Sequence, residues 1–390
     1  MGKMERDINK LCMHFCPEGV DYYKLGELGK FYGGLTGKNK SDFSDGNAKF
    51  ISYRNVYNNP ALKLDVEDKV KISSNEKQNT LERGDIIFTG SSETADECGL
   101  SSVVTQDVNE KIYLNSFCFI FRFKNPKIIL PDFSKHLFRS EYLRHQIGKT
   151  ASGVTRFNVS KKLMANVTIP LPPLPIQQEI VRILDTFTNL TAELTAELTA
   201  RRKQYEYYRD ELLTFGEDVS RVQLGLVCDF KYGKGNNIPN ETGEYPVYGC
   251  NGIVSTTNTF NSEDAPIIGH IGSAGVVNWG KGKHFVTYNG TICRVKADKI
   301  RSRYAYYVLN SLHLERFVKG SQPFLSYGDF SKVLIPLPPI ERQDEIVRIL
   351  DQFDYFCNDL TSGIPAEISA RQKQYEYYRD KLLTFKENMS

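Results

Sequence analysis

Ile176, Ile180, Ile183, Phe187, Leu190, Leu194, Leu198, Tyr205, Tyr208, Leu212 and Phe215 stand mostly three or four positions apart, with polar residues between them. That rhythm lays one apolar stripe along a helix. It predicts a helix over 177–215, 39 residues, about 58 Å long at ~1.5 Å per residue. A stripe so long and narrow needs a second helix to cover it. Upstream, Pro170, Pro172, Pro173 and Pro175 favour an extended lead-in, because proline fixes φ and donates no main-chain hydrogen bond.

The chain itself supplies the second helix. Ile169-Pro-Leu-Pro-Pro173 recurs as Ile335-Pro-Leu-Pro-Pro339, and Glu179-Ile-Val-Arg-Ile-Leu-Asp185 recurs as Glu345 to Asp351, both 166 residues on. Arg201 to Phe215 recurs as Arg371 to Phe385 at an offset of 170, with 13 of 15 positions identical. A period of this size is a domain and not a solenoid repeat. The pattern predicts an intramolecular antiparallel pair and leaves open two helices that each pack on their own domain. Ser362-Gly-Ile-Pro365 in the second copy predicts a kink or a break. There the first copy carries Thr191-Ala-Glu-Leu-Thr-Ala-Glu-Leu198, a four-residue unit written twice.

Between the copies only an echo survives. Lys24-Leu-Gly26 and Phe31 to Gly34 resemble Gln223-Leu-Gly225 and Phe230 to Gly233. Ile86-Ile87 with Thr89-Gly-Ser91 resembles Ile267-Ile268 with Ile271-Gly-Ser273. The plan is therefore a variable block (1–168), a helix segment (169–215), a second variable block (216–334) and a second helix segment (335–390). Polar positions from Lys203 to Arg209 are duplicated as faithfully as apolar ones. Packing constrains only the apolar set, so either a partner meets each helix in the same way or recombination has kept the copies alike.

Composition narrows the class. With 390 residues, 40% hydrophobic and 25% charged, the chain can bury the cores of two or three domains. No run approaches the ~18 uncharged apolar residues of a membrane span. The charged N-terminus lacks the apolar core of a signal peptide. Eight cysteines are too few for a disulfide framework, so they read as reduced, packed thiols in a cytoplasmic protein. Net charge is only +3, yet 1–168 holds 25 basic and 20 acidic side chains, and 216–334 holds 13 and 10. The helix segments carry −2 and −3. Mildly basic variable blocks fit a polyanion.

Catalytic signatures are missing. Gly33-Gly-Leu-Thr-Gly-Lys-Asn39 fails as a phosphate loop because Asn39 stands where Ser or Thr must bind the cation. Glycine turns for a dinucleotide or a methyl donor, Gly-x-Ser-x-Gly and His-Glu-x-x-His do not occur. Glu67-Asp-Lys69 imitates part of a nuclease motif, with Asp65 too close to serve as its partner. Cys12-Met-His-Phe-Cys16 lacks the further ligand a zinc site needs. The chain reads as a binder with no metal and no cofactor of its own.

Taken in order, the twin Ile-Pro-Leu-Pro-Pro lead-ins, the Gln-x-Glu-Ile-Val-Arg-Ile-Leu-Asp runs and the Lys-Gln-Tyr-Glu-Tyr-Tyr-Arg-Asp helices resemble the specificity subunits of type I restriction–modification enzymes. Tyr245 to Ile253 and Ile267 to Gly275 also resemble stretches of their recognition domains, whereas Lys49 to Val56 and Thr89 to Glu93 depart from that pattern. The resemblance implies an α+β protein: two mixed α/β target-recognition domains in a pseudo-two-fold arrangement, joined by two long helices forming an antiparallel coiled coil. It also implies a non-catalytic subunit on double-stranded DNA that reads two half-sites at a fixed gap. Its partners would be two copies of an adenine methyltransferase subunit, which binds S-adenosylmethionine, and restriction (translocase/endonuclease) subunits.

Phosphates should be met by Lys and Arg, and base edges by Arg, Asn, Gln and His. Candidates in the first block are Lys38, Asn39, Lys40, Arg54, Asn55, Ser91, Ser92 and Arg156. In the second they are Lys234, Asn236, Asn237, Tyr248, Asn251, His270, Ser273 and Gln322. Trp279 reads as core. Lys203, Tyr207 and Arg209, with Lys373, Tyr377 and Arg379, are the candidates for methyltransferase docking. Rival classes are a free-standing sequence-specific DNA-binding regulator, a protein scaffold without steep salt dependence on DNA and a cryptic nuclease. If the helices space the two readers, one more Thr-Ala-Glu-Leu unit after Leu198 adds ~6 Å of helix. Methylation mapping should then show the gap lengthened by about one to two base pairs, at ~3.4 Å each, and an unchanged gap would refute the spacer.

Overall fold

The computed structural model describes residues 3–235, 242–296, 298–358 and 363–388. The chain divides into two units: Met1–Glu193 with Ser369–Ser390, and Leu194–Ile368. Both divisions fall within helices, and the first unit takes part of its helical layer from the far half of the sequence.

The first unit begins with α1 (Lys3–Phe15), β1 (Tyr22–Lys24), α2 (Leu25–Leu28), β2 (Gly29–Gly33), β3 (Ala48–Ile51) and α3 (Tyr53–Asn58). Strands β4 (Lys69–Val70), β5 (Ile86–Thr89), β6 (Ser91–Ser92), β7 (Ser101–Val103), β8 (Tyr113–Leu114) and β9 (Cys118–Phe123) follow. It continues with α4 (Pro131–Leu137), α5 (Glu141–Gly148), β10 (Ala151–Ser152), β11 (Phe157–Val159), α6 (Lys161–Met164) and β12 (Thr168–Pro170). A four-stranded antiparallel sheet in the order β2-β9-β5-β7 is flanked by two three-stranded sheets, β4-β3-β8 and β10-β11-β6.

Helix α7 (Leu174–Leu212) then runs unbroken for 39 residues. Its length is as expected, but it begins and ends three residues earlier. Pro175 lies in the first turn, where a missing N–H costs nothing, so the lead-in ends sooner than four prolines imply.

The second unit holds β13 (Arg221–Gln223), α8 (Leu224–Val227), β14 (Cys228–Tyr232), β15 (Tyr245–Gly249) and β16 (Gly252–Thr257). Next come β17 (Ser262–Gly269), β18 (Val277–Val286), β19 (Gly290–Val295), α9 (Ser302–Ser311), α10 (Tyr327–Phe330) and β20 (Leu334–Pro336). Six strands form one sheet in the order β14-β19-β17-β18-β15-β16. The described second-copy helices are α11 (Ile340–Asn358) and α12 (Ile364–Leu382), with Pro365 in the first turn of α12.

The two units follow one strand plan in different side chains. Phe31 lies opposite Phe121, and Phe230 opposite Cys293. The neighbouring pairs Ile87–Ile120 and Ile267–Ile292 are therefore equivalent. This corrects the sequence echo by one residue: Ile87 matches Ile267, and Gly90 matches His270. Phe88 and Ile268 then both enter the cores that the long helices cover. Gly34 and Gly233 are equivalent as well. A Cβ on either would stand 2.0 or 2.1 Å from the carbonyl oxygen of Asn115 or Thr287, so only glycine lets the strands approach there.

A glutamine amide holds each long helix to the segment that leads into a shorter helix and to its own proline lead-in. Fully buried Gln177 accepts from Leu130 N–H (2.8 Å) and donates to Ile128 O (3.0 Å) and Pro172 O (2.8 Å). Gln343 does the same with Arg301 N–H (2.8 Å), Lys299 O (3.1 Å) and Pro338 O (2.9 Å). Beyond the clasps the helices pair. In the second unit Arg202 reaches Cys357 O and Tyr208 stacks on Phe353, so α7 and α11 run antiparallel. In the first unit the matching stack is Phe187 on Tyr378 of α12. The same unit joins the sequence ends: Val20 N–H donates to Lys386 O (2.8 Å) and Asn388 N–H to Val20 O (3.0 Å).

Gln177→Ala would leave three buried main-chain groups unsatisfied, costing about 2–4 kcal/mol. Urea unfolding should report that loss, while alanine at the exposed neighbour Gln178 should stay within about 0.5 kcal/mol of wild type.

Candidate nucleic-acid interface

Many duplicated polar residues face inward and tie each helix to its own unit. Asp185 accepts from His136 Nε2 (2.7 Å) and Lys135 Nζ (2.8 Å), and the Tyr375 hydroxyl meets His136 Nδ1 at 2.9 Å. Burial pushes the His136 pKa down despite its bond to Asp185. A neutral imidazole with its proton on Nε2 satisfies both contacts, Tyr375 O–H donating to Nδ1. Burial alone would raise the Asp185 carboxyl, but its bonds to His136 and Lys135 hold it below the usual carboxylate range. In the second unit Asp351 plays the same part, accepting from Tyr307 O–H and from Arg303 Nε (2.6 Å). Arg303 also lies 4.9 Å from the ring centroid of Trp279, which is half-buried.

These contacts sort the docking candidates. Arg209 pairs with Asp210 and lies 5.9 Å from the Tyr205 ring centroid; Arg379 pairs with Asp380 and lies 5.7 Å from that of Tyr375. Their side chains are only 11% and 15% exposed, so packing within each unit accounts for both. Lys203 and Lys373 are exposed, and Tyr207 and Tyr377 keep 64% and 58% of their surface in solvent. Among these candidates Lys-x-x-x-Tyr is outward on each copy, with Glu206 and Glu376 exposed between the two residues and Arg182 and Arg348 exposed further up the helices.

The first block divides its candidates. Lys38 Nζ is held by Glu76 (2.6 Å) and Lys71 O (2.6 Å), Asn39 caps a short 3-10 turn, and Asn55 ties a turn through Lys63. Lys40 and Arg54 are exposed. Ser91, Ser92 and Arg156 come together on the β10-β11-β6 sheet. The Arg156 guanidinium bonds Ser91 Oγ through Nε (3.2 Å) and Nη2 (3.0 Å) and lies 5.8 Å from the ring centroid of Phe117. Ser92 is turned inward to Glu97. Sequence reading missed Phe117, 57% exposed beside this arginine.

In the second block Lys234 and Asn251 are exposed, and Ser273 is half-buried in the turn after β17. Asn236 and Asn237 lie outside the described residues. Tyr248 is buried, its hydroxyl bonded to Trp279 O (3.2 Å), so here it serves the core. His270 is 1% exposed, with Nδ1 at 3.2 Å from Thr291 Oγ1 and burial pushing its pKa down to about 4. The rings of Tyr232, Tyr288 and Phe324 surround it at 4.5, 5.4 and 6.0 Å. Tyr288, Phe324 and Tyr327 are about 40% exposed, forming an aromatic patch that sequence reading missed, since no periodicity joins residues from two separate segments. Gln322 is exposed at its edge.

Elsewhere, burial pushes the Cys12 thiol up to about 11 and Cys16 upward. Both pack against the first unit's core as protonated thiols. Among the described residues no group of His, Cys, Asp and Glu could hold a metal ion, and no helix is long and apolar enough to cross a membrane.

Two units on one plan, clasped to duplicated helices and differing in their exposed polar and aromatic residues, define a two-headed recognition protein. The chain matches the family described as the type I restriction modification DNA specificity domain over residues 17–201 and 216–370, and it belongs to that family. It is 35% identical over 239 residues to a putative type I specificity subunit of Mycoplasma pneumoniae, covering 55% of this chain and 92% of that one. A second putative specificity subunit of that organism is 31% identical over 312 residues, covering 72% and 89%. A crystal structure of the type I restriction–modification S subunit from M. genitalium shares the fold, with a TM-score of 0.55 at 18% identity over 94% of this chain and 96% of that one.

Because His136 is held neutral with a pKa below its ordinary value, the unfolded chain binds that proton more readily. Stability of the first unit should therefore fall as pH drops below about 6.5. Urea unfolding at pH 7.5 and 5.5 should show a larger acid loss for wild type than for His136→Gln.

Proposed function

We propose that this chain directs a type I restriction–modification complex to a split DNA target, each unit reading one half-site. The observation that carries the reading is the contrast within the repeat. Backbone register and helix clasps are the same in both units, while exposed residues on the strand edges differ. A protein that must present two different DNA-reading faces to two identical partners requires this division. Each Lys203/Tyr207 and Lys373/Tyr377 surface would receive one methyltransferase subunit, giving two copies per chain, and restriction subunits would join that core. The complex would work in the cytoplasm on double-stranded DNA. Adenine methylation and its methyl donor belong to the partner.

Phosphate contacts fall to the exposed Lys40, Arg54 and Lys234, which set affinity and its salt dependence without reading sequence. Base contacts fall to Arg156, Gln322 and Asn251, with His270 supporting the aromatic patch. The test is to co-express the chain with a cognate methyltransferase subunit in a methylation-free host and map modified bases across the genome. Two short blocks around a fixed gap, with an adenine methylated in each, is the expected result. Methylation at a short contiguous motif would overturn it. No methylation from soluble, unassociated proteins would favour a free-standing DNA-binding regulator.

A further inference from the structure

Arg156 and Gln322 occupy the same place in the two units. Val159 N–H donates to Gly90 O (2.9 Å) and Leu325 N–H to His270 O (2.9 Å), and Gly90 and His270 are the equivalent positions fixed by strand register. Three residues back from each donor stand Arg156 and Gln322, both exposed. Each precedes a strand-like edge: Phe157–Asn158 pairs with β6, and Phe324 bridges to Ile271. The turn before each edge is closed by main-chain pairing, Ser152 with Asn158 in one unit and, one residue shorter, Lys319 with Phe324 in the other, so the match is counted back from the edge. One backbone position thus carries different hydrogen-bonding chemistry in the two halves.

The chemistry is specific. Ser91 Oγ takes Nε–H and one Nη2–H of Arg156, while Phe117 lies near the guanidinium. That leaves the guanidinium's end edge, two parallel donors from Nη1 and Nη2, pre-oriented by the serine. Two parallel donors match O6 and N7 of guanine in the major groove. Gln322 presents one donor and one acceptor, which match N7 and N6 of adenine. Pro323 follows it and fixes the local backbone.

Resting on the reading of the chain as a specificity subunit, we infer that Arg156 reads a guanine in the first half-site and Gln322 an adenine in the second. These are equivalent positions of a shared code, written by one side chain in each unit. Each contact sets one base pair and leaves the other half-site and the gap untouched.

The test uses the assembled complex with its methyltransferase subunits and the target found by methylation mapping. Replacing guanines of the first half-site one at a time with 7-deazaguanine, which lacks the N7 acceptor, should weaken binding about tenfold at a single position. The same replacement should cost Arg156→Gln nothing further. 7-Deazaadenine in the second half-site should behave likewise with Gln322→Ala. Mapping with Arg156→Gln should lose guanine at that one position, and Gln322→Arg should lose its adenine. Equal tolerance of every deaza base by wild type would overturn the inference even if a variant fails to fold. So would variants that weaken all duplexes alike, the mark of a phosphate contact, or variants that leave both half-sites unchanged. If the wild-type complex yields no split motif, the functional reading itself falls before any variant is made.

Discussion

A buried side-chain amide in each half of the molecule does what no apolar contact can: it fixes the rotation and the height of a long helix against the segment that leads into its neighbouring short helix. Gln177 and Gln343 each satisfy three main-chain groups drawn from two segments, so sliding or turning the helix would strand all of them at once. Asp185 and Asp351, eight residues on, repeat the constraint through His136 in one unit and Tyr307 in the other. Apolar packing alone tolerates small shifts, whereas three hydrogen bonds to fixed main-chain groups do not.

These clasps also account for much of what is duplicated. The buried polar positions among the repeats are fixed by internal bonds, which removes Gln177, Asp185, Tyr205 and Arg209, and their counterparts, from any argument about partners. What remains, chiefly an exposed lysine, glutamate and tyrosine within one turn and an exposed arginine further up each helix, is a smaller surface than the whole repeated block.

The long helix, the two-part plan and the equivalence of the blocks were legible in the sequence because they leave periodic or repeated marks, whereas most of the break expected near Pro365 falls on 359–362, outside the described residues. Helix ends were displaced by three residues, since a proline in the first turn is allowed and sequence pattern does not separate that case from a lead-in. The one-residue error between Ile86 and Ile267 had a similar origin. Both strands carry consecutive apolar residues, buried on both faces, so no alternation marks which residue points to which core. Of the candidate contacts, Tyr248 and His270 are polar side chains placed inside the second unit, and Phe117 and the Tyr288–Phe324–Tyr327 patch went unseen. Their assembly depends on pairing between segments far apart in the chain.

The tie between Val20 and the 386–388 segment, together with the packing of Tyr375, Tyr378 and Leu382 against the first core, sets an order of events during synthesis. Residues 194–368 form an uninterrupted stretch and can close their core as soon as the last of them leaves the ribosome. The unit begun first must wait: its helical layer lacks Ser369–Ser390 until those residues are made. At ~5–20 residues per second that leaves Phe187, Leu184 and their neighbours without their final cover for many seconds. A segment made later thus completes the unit begun earlier, and a ribosome that stalls just after residue 368 would hold all of the second unit's residues attached to a first unit still lacking its cover.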